Sequence, residues 1–155
     1  MSISENTFTG EFAYTIDAKG RVNIPAKFRQ SLSADSDQTF VITKGLDPCI
    51  YAYPLSVWQI QIEGALRSLS SINAVNRQFI RDMVRYASTV SFDKQGRIPL
   101  TQILIQHADL SHDALIIGMV NKIEIWNPQI LLTFEEQAKT IEQSDYNELA
   151  EKIII

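Results

Sequence analysis

Apolar residues alternate through Phe12, Tyr14 and Ile16, with Ala13, Thr15 and Asp17 between them, and Val22 and Ile24 resume the alternation beyond a polar loop. A period of two marks strands with one buried face, so residues 12–24 read as a hairpin. Pro25 suits the first turn of a short helix that turns Phe28 and Leu32 inward. Phe40-Val-Ile-Thr and Cys49-Ile-Tyr-Ala-Tyr read as two further strands around a turn at 45–48. The order then repeats: 88–92 and 97–100 as a hairpin, 101–108 as a short helix, and Leu115-Ile-Ile-Gly-Met and Lys122-Ile-Glu-Ile-Trp as the later strands.

Between and after the copies the period changes. Leu55, Trp58, Ile62, Leu66 and Leu69 recur at steps of three and four, as do Ile72, Val75, Phe79 and Met83, which predicts two helices filling the space between the repeats. Ser71 is the expected N-cap of the second. Asn127 followed by Pro128 predicts the start of a last helix, with Ile130, Phe134, Ala138 and Ile141 as its apolar stripe. The chain divides as 8–54 and 87–127 for the repeats, 55–86 for a helical connector and 128–155 for an acidic helix. The closing isoleucines 153–155 invite a partner.

The repeat is sharpest at its loops. Asp17-Ala-Lys-Gly-Arg21 returns as Asp93-Lys-Gln-Gly-Arg97, seventy-six residues later, and Tyr14, Ile16, Val22, Ile24 and Phe28 fall opposite Val90, Phe92, Ile98, Leu100 and Leu104 at the same offset. Asp at the first position of a type I turn accepts backbone N–H groups, and Gly20 and Gly96 at the fourth take the positive φ of a G1 bulge. Turn geometry thus accounts for Asp17, Gly20, Asp93 and Gly96. It does not require the cations Lys19, Arg21, Lys94 and Arg97. Two readings stay open for the arginines: exposed local pairs with Asp17 and Asp93, worth about 0–1 kcal/mol, or guanidinium groups held to meet phosphate or a guanine edge. Lys27 and Arg29 on the first short helix and Lys44 add charge near the first loop, whereas the second copy offers Gln102 and Gln106. Arg77, Arg81 and Arg85 step every four residues along the connector, a pattern that a solvated face also gives.

Composition narrows the function classes. With 155 residues and 45% hydrophobic content the chain can bury a core. Each copy alone is marginal in size, so the two are expected to pack together. A net charge of −4 excludes coating nucleic acid by bulk positive charge. The balance is uneven: residues 124–155 carry seven acids against two lysines, leaving about +1 on the rest. The lone Cys49 allows no internal disulfide and suits a reducing compartment. No signal-like start and no run of the ~20 apolar residues that span a bilayer are present. A cytoplasmic protein without membrane association is expected.

Chemistry for an enzyme is thin. His107 and His112 are the only histidines, five apart and without a third ligand, and no zinc, nucleophile-elbow or Walker pattern occurs. No cofactor, metal or small-molecule substrate is expected.

Phe8-Thr-Gly-Glu-Phe12, Asp17-Ala-Lys-Gly-Arg-Val-Asn-Ile-Pro-Ala-Lys-Phe-Arg29, Asp93-Lys-Gln-Gly-Arg97 and Ile116-Ile-Gly-Met-Val-Asn-Lys-Ile-Glu-Ile-Trp126 together resemble the MraZ family, related to the AbrB-type swapped-hairpin transcription factors. The resemblance implies a mixed α+β fold of tandem swapped-hairpin β-barrel units with flanking helices. It implies a transcriptional regulator, generally a repressor, of the division and cell-wall gene cluster. It further implies a ring homo-oligomer on direct repeats of double-stranded promoter DNA, associated with the nucleoid. The family's DNA-contacting arginines fall on Arg21 and Arg97, with Lys19 beside the first. Lys94, Lys27 and Arg29 complete the candidate set. Residues before Phe8, Pro99 ahead of Leu100 and the missing cation near Gln106 depart from the pattern, so the DNA contact carries over more fully to the first loop than to the second. The alternative from another class is a protein-interaction scaffold or antitoxin-like partner binder, with the arginines as surface decoration.

Overall fold

A computed structural model of the chain describes residues 5–138 and 141–153. Ile154 and Ile155 of the terminal isoleucine run, and the first four residues of the extension before Phe8, lie outside the described residues. The strands are β1 (Phe8–Thr15), β2 (Arg21–Asn23), β3 (Thr39–Lys44), β4 (Ile50–Pro54), β5 (Ser88–Ser91), β6 (Arg97–Pro99), β7 (Asp113–Val120) and β8 (Ile123–Trp126). Helices α1 (Ala26–Ser31) and α5 (Gln102–His107) follow the two loops, and α2 (Leu55–Val57), α3 (Gly64–Arg67) and α4 (Ala74–Val84) connect the copies. Helices α6 (Pro128–Gln137) and α7 (Gln143–Ile153) close the chain.

The expected hairpin at 12–24 is corrected. Its turn closes locally, Asp17 N–H donating to Arg21 O at 3.0 Å, but its strands part at once. β1 pairs antiparallel with β7 and β2 with β6, so each copy finds its partners in the other. Six strands form one antiparallel sheet in the order β1-β7-β8-β4-β3-β5, and β2 and β6 form a second. The order reads the same from either end once equivalent strands are matched, β1 with β5, β7 with β3 and β8 with β4. A pseudo-twofold axis therefore relates the copies. It passes through the β2–β6 ladder, where Val22 lies opposite Ile98, its own counterpart at the 76-residue offset. Self-paired hairpins would leave two half-cores; the exchange merges them. Val22, Ile24, Phe28, Ile98, Leu100 and Leu104 from both copies share one buried cluster.

The central strands are covered on both faces, which explains their continuous apolar runs. Ile50 and Ala52 of β4 point into that shared cluster, while Tyr51 and Tyr53 point into a second one with Trp58, Leu66, Met83 and Trp126. Phe28 anchors α1: it is fully buried, with its ring edge-to-face against Phe8 and Phe12 at 5.2 Å each. Burial of such a ring stabilises by roughly 1.5–3 kcal/mol.

Four helical expectations change. Leu55 to Leu69 is not one α-helix, because a π-helical stretch, Trp58–Glu63, separates α2 from α3. Trp58 Nε1 donates to Glu63 Oε1 across that stretch at 2.9 Å. Asn73, not Ser71, caps α4, since its Oδ1 reaches Val75 N and Asn76 N at 2.8 and 3.3 Å. Nor does the α4 stripe fill a gap between repeats: Ile72 and Val75 are 89% and 76% exposed, and only Met83 of that series is buried. At the C-terminus Asn127 does cap α6, accepting from Gln129 N at 2.9 Å, and Phe134 packs on Trp126 with ring centroids 5.4 Å apart. The single acidic helix expected there is two, since α6 ends at Gln137 with Ala138 as its C-cap and α7 starts afresh at Gln143 with no buried residue.

Candidate nucleic-acid interface

Each loop is built by its aspartate. Asp17 Oδ1 accepts from the backbone N–H of Lys19 and of Arg21, both at 2.9 Å, and Asp93 Oδ1 accepts from Gln95 and Arg97 at 2.9 and 3.0 Å. Gly20 and Gly96 take φ of +76° and +79°, as the bulge demands of residues without a Cβ. The second carboxylate oxygen of each aspartate aims the arginine: Arg21 Nε donates to Asp17 Oδ2 at 2.7 Å, and Arg97 Nε to Asp93 Oδ2 at 3.0 Å.

The β2–β6 ladder then brings the loops together. Ile24 N–H donates to Gly96 O at 2.8 Å and Leu100 N–H to Gly20 O at 2.9 Å, so each loop's glycine carbonyl holds the strand of the other copy. As a result the ion pairs cross. Arg97 Nη1 reaches Asp17 Oδ2 at 3.4 Å, and Arg21 Nη1 lies 4.0 Å from Asp93 Oδ2. Two guanidinium groups and two carboxylates form one neutral, partly exposed quartet around the axis. The Arg21 N–H, followed by the Arg21 guanidinium and the Lys19 N–H, holds the Asp17 carboxyl below its usual range. The Arg97 N–H, then the Gln95 N–H and the Arg97 side chain, do the same for Asp93.

Of the other candidate residues, Lys19, Lys27 and Lys94 are exposed, and among the described residues none is ion-paired. Arg29 is elsewhere. Its Nε donates to Ile24 O at 3.0 Å, and its guanidinium lies so close behind Gly96 that a Cβ there would stand 2.6 Å from Cζ. The helix of the first copy thus supports the loop of the second. At the 76-residue offset Arg29 answers to Ile105, which lies behind Gly20 in the same way, and Lys27 answers to Ile103. Asn23 adds a further tie to the second loop, Nδ2 donating to Gln95 O at 3.0 Å. Proximity in sequence places Arg29 with the first loop, whereas the strand exchange carries it to the second; the offset that aligns Phe28 with Leu104 is the signal that pairs it with Ile105. In α4, Arg77 Nη1 donates to the carbonyls of Ser71 and Ile72 at 2.9 and 2.7 Å, so this member of the basic stripe braces its own helix start. Among the described residues, no three His, Cys, Asp or Glu side chains are grouped to hold a metal ion.

Two loop-strand-helix units that exchange strands about a pseudo-twofold axis, with both loops at that axis, define a tandem swapped-hairpin protein. The chain belongs to the MraZ family: the family's profile, described as "MraZ protein, putative antitoxin-like", matches it twice, at 7–82 and 83–152. Proteins named transcriptional regulator MraZ are similar along most of their length. That of Limosilactobacillus fermentum is 43% identical over 143 residues, covering 92% of this chain and 94% of the relative. Those of Pediococcus pentosaceus and Natranaerobius thermophilus are 41% and 40% identical over 147 residues, covering 95% of this chain and 96% of each relative.

Proposed function

We propose that this chain is a DNA-binding transcriptional regulator rather than an enzyme, and that the Arg21–Arg97 quartet reads the duplex. The relatives' names support the general role, and the crossing of the two loops into one cluster supports the site. Each guanidinium gives its Nε to its own aspartate, which fixes its plane and leaves N–H groups of Nη1 and Nη2 for a phosphate or the O6 and N7 of guanine. The quartet is neutral, so attraction to DNA falls to Lys19, Lys94 and Lys27. That division suits an acidic protein: the positive field is needed only at the loop tips. Arg29 acts from behind, as a brace for the second loop.

In this reading the repeats, 8–54 and 87–127, form the DNA-facing body, and 55–86 and 128–155 lie away from it. Copies assemble into a ring that sets several loop pairs along direct repeats in the promoter of the division and cell-wall gene cluster. Each later contact is then intramolecular and can be weak. Occupancy represses by excluding polymerase, and the protein is cytoplasmic and nucleoid-associated. No described helix is long and apolar enough to cross a membrane.

Fluorescence anisotropy with the DNA upstream of the chain's own gene tests this. Arg21→Ala should weaken binding by about 1–3 kcal/mol if a bidentate base contact is lost, while Lys19→Ala should make the log–log salt slope shallower by about one. Three repeats should bind far more tightly than one. Wild-type affinity in a folded Arg21→Ala protein removes the quartet from recognition.

A further inference from the structure

Two apolar surfaces stand open among the described residues. One is a groove of about 250 Å³ between the sheet and the connector helices, with Tyr51 and Tyr53 as its floor and Ile62, Leu66, Phe79 and Met83 as its walls. Leu46 at its mouth, Phe79, and Val75 one turn earlier on α4 are exposed. Lys122 brings a cation into the groove, its Nζ 5.2 and 5.9 Å from the Tyr51 and Tyr53 ring centroids. An adjoining pocket that shares Leu46, Phe79 and Met83 adds Lys44, whose Nζ lies 4.3 Å from the Tyr86 ring centroid. Asp82 is the acid on the adjoining wall, where Gln78 Nε2 donates to it at 2.8 Å.

The other surface is α7. Tyr146, Leu149 and Ile153 stand at positions i, i+3 and i+7, one face of a helix, and all three are exposed. The helix carries Asp145, Glu148 and Glu151 against Lys152, with Glu142 just before it. One chain therefore holds a concave apolar groove with Lys122 in its lining and Lys44 beside it, and a convex, acidic amphipathic helix. These are the two halves of a helix-in-groove contact.

We propose that the groove of one copy receives α7 of a neighbouring copy, Tyr146, Leu149 and Ile153 entering between the β4 tyrosines and α4. This rests on the ring reading above and identifies the surfaces that join its members. Groove and helix are different patches, so the contact is head-to-tail: each added copy leaves one groove and one helix open until the ring closes. The opposite charges of the helix and of these two lysines steer the approach and make assembly weaken with salt.

The test is mass in solution by light scattering, with circular dichroism to confirm folding. Leu149→Asp and Phe79→Asp alter exposed residues, one on each surface. Each variant alone should fall from the oligomer to single-chain mass. Mixed, they should give a dimer and stop there, because the intact groove of one fits the intact helix of the other and the remaining pair is spoiled. An oligomeric wild type whose mass neither substitution changes overturns the proposal alone, as does a mixture that stays at single-chain mass. A wild type of single-chain mass overturns the ring reading as well. A chain carrying both Phe79→Cys and Tyr146→Cys should cross-link between copies; cross-linking confined to one chain shows α7 in its own groove and also overturns it.

Discussion

The 17–21 loop has an aliphatic side chain behind its glycine, and the 93–97 loop has a charged one. In their own hydrogen bonds the two are near copies: the same aspartate bonds, the same bulge, the same aimed guanidinium. Their supports differ. Ile105 stands behind Gly20, beside a cleft of about 250 Å³ that Lys19 and Gln102 help to line. Behind Gly96 the equivalent space holds Arg29, tied to Ile24 O, while Asn23 fastens Gln95 from the side. The position equivalent to Asn23 is Pro99, whose ring offers no such donor. The second loop is braced by polar ties and the first rests on packing. Because the copies exchange strands, each brace is encoded in the opposite copy, so drift in one repeat is felt in the loop of the other.

The widest gap between the loops should appear on adding a methyl to each glycine. Gly96→Ala meets both a left-handed φ and the Arg29 guanidinium at 2.6 Å, and should lose about 1–3 kcal/mol from the backbone alone, with the displacement of Arg29 in addition. Gly20→Ala carries a similar backbone cost, but its nearest neighbour is Ile105 Cδ1 at 3.1 Å, a flexible tip that can shift. Urea melts should therefore rank Gly96→Ala well below Gly20→Ala; equal midpoints would mean that the two supports yield alike.

Removing the brace comes next. Arg29→Met keeps length and apolar stem but loses the bond to Ile24 O, at a cost of about 1–2 kcal/mol. Hydrogen exchange should then quicken at the Gly96 and Arg97 amides while those of Gly20 and Arg21 hold their rates. Uniform quickening of both loops would mean that Arg29 supports the whole core and not one corner.

The smallest effect should come from the acids. Asp17 accepts from Arg97 at 3.4 Å as well as from Arg21, whereas Arg21 reaches Asp93 only at 4.0 Å, so Asp17→Asn should destabilise more than Asp93→Asn. Both carboxyls are held below their ordinary value, so they bind protons more readily when unfolded. Their contribution is therefore present above about pH 4 and is lost as pH falls from there through the folded values. Thermal melts between neutral and acid pH should lose part of that slope in the double Asn variant.

What could be read from the chain was whatever local geometry decides. Alternation placed the strands, Asp and Gly placed the turns, and Asn127-Pro128 placed the start of α6. Pairing was not local. Residues 12–24 look like a hairpin because their turn is a hairpin turn, yet where β1 goes next depends on which surface can cover its apolar side, and that surface belongs to β7. Ile72, Val75 and Phe79 show the same limit: spacing reveals that a helix has an apolar face and says nothing about what lies against it. At the site, Asp17, Arg21, Asp93 and Arg97 were visible as a repeated string, but their union into one quartet needed the strand exchange. Arg29 looks like the exposed lysines in the sequence because a cation on a short helix carries no mark of facing inward.

The β1–β7 ladder joins Phe8 to Val120 and Thr15 to Asp113, partners made far apart in time. At translation rates of about 5–20 residues per second, β1 leaves the ribosome roughly 5–20 s before β7 exists to meet it. During that interval Phe8, Phe12 and Tyr14 have no lasting cover, and the nascent chain is exposed to chaperones and to other nascent copies of itself.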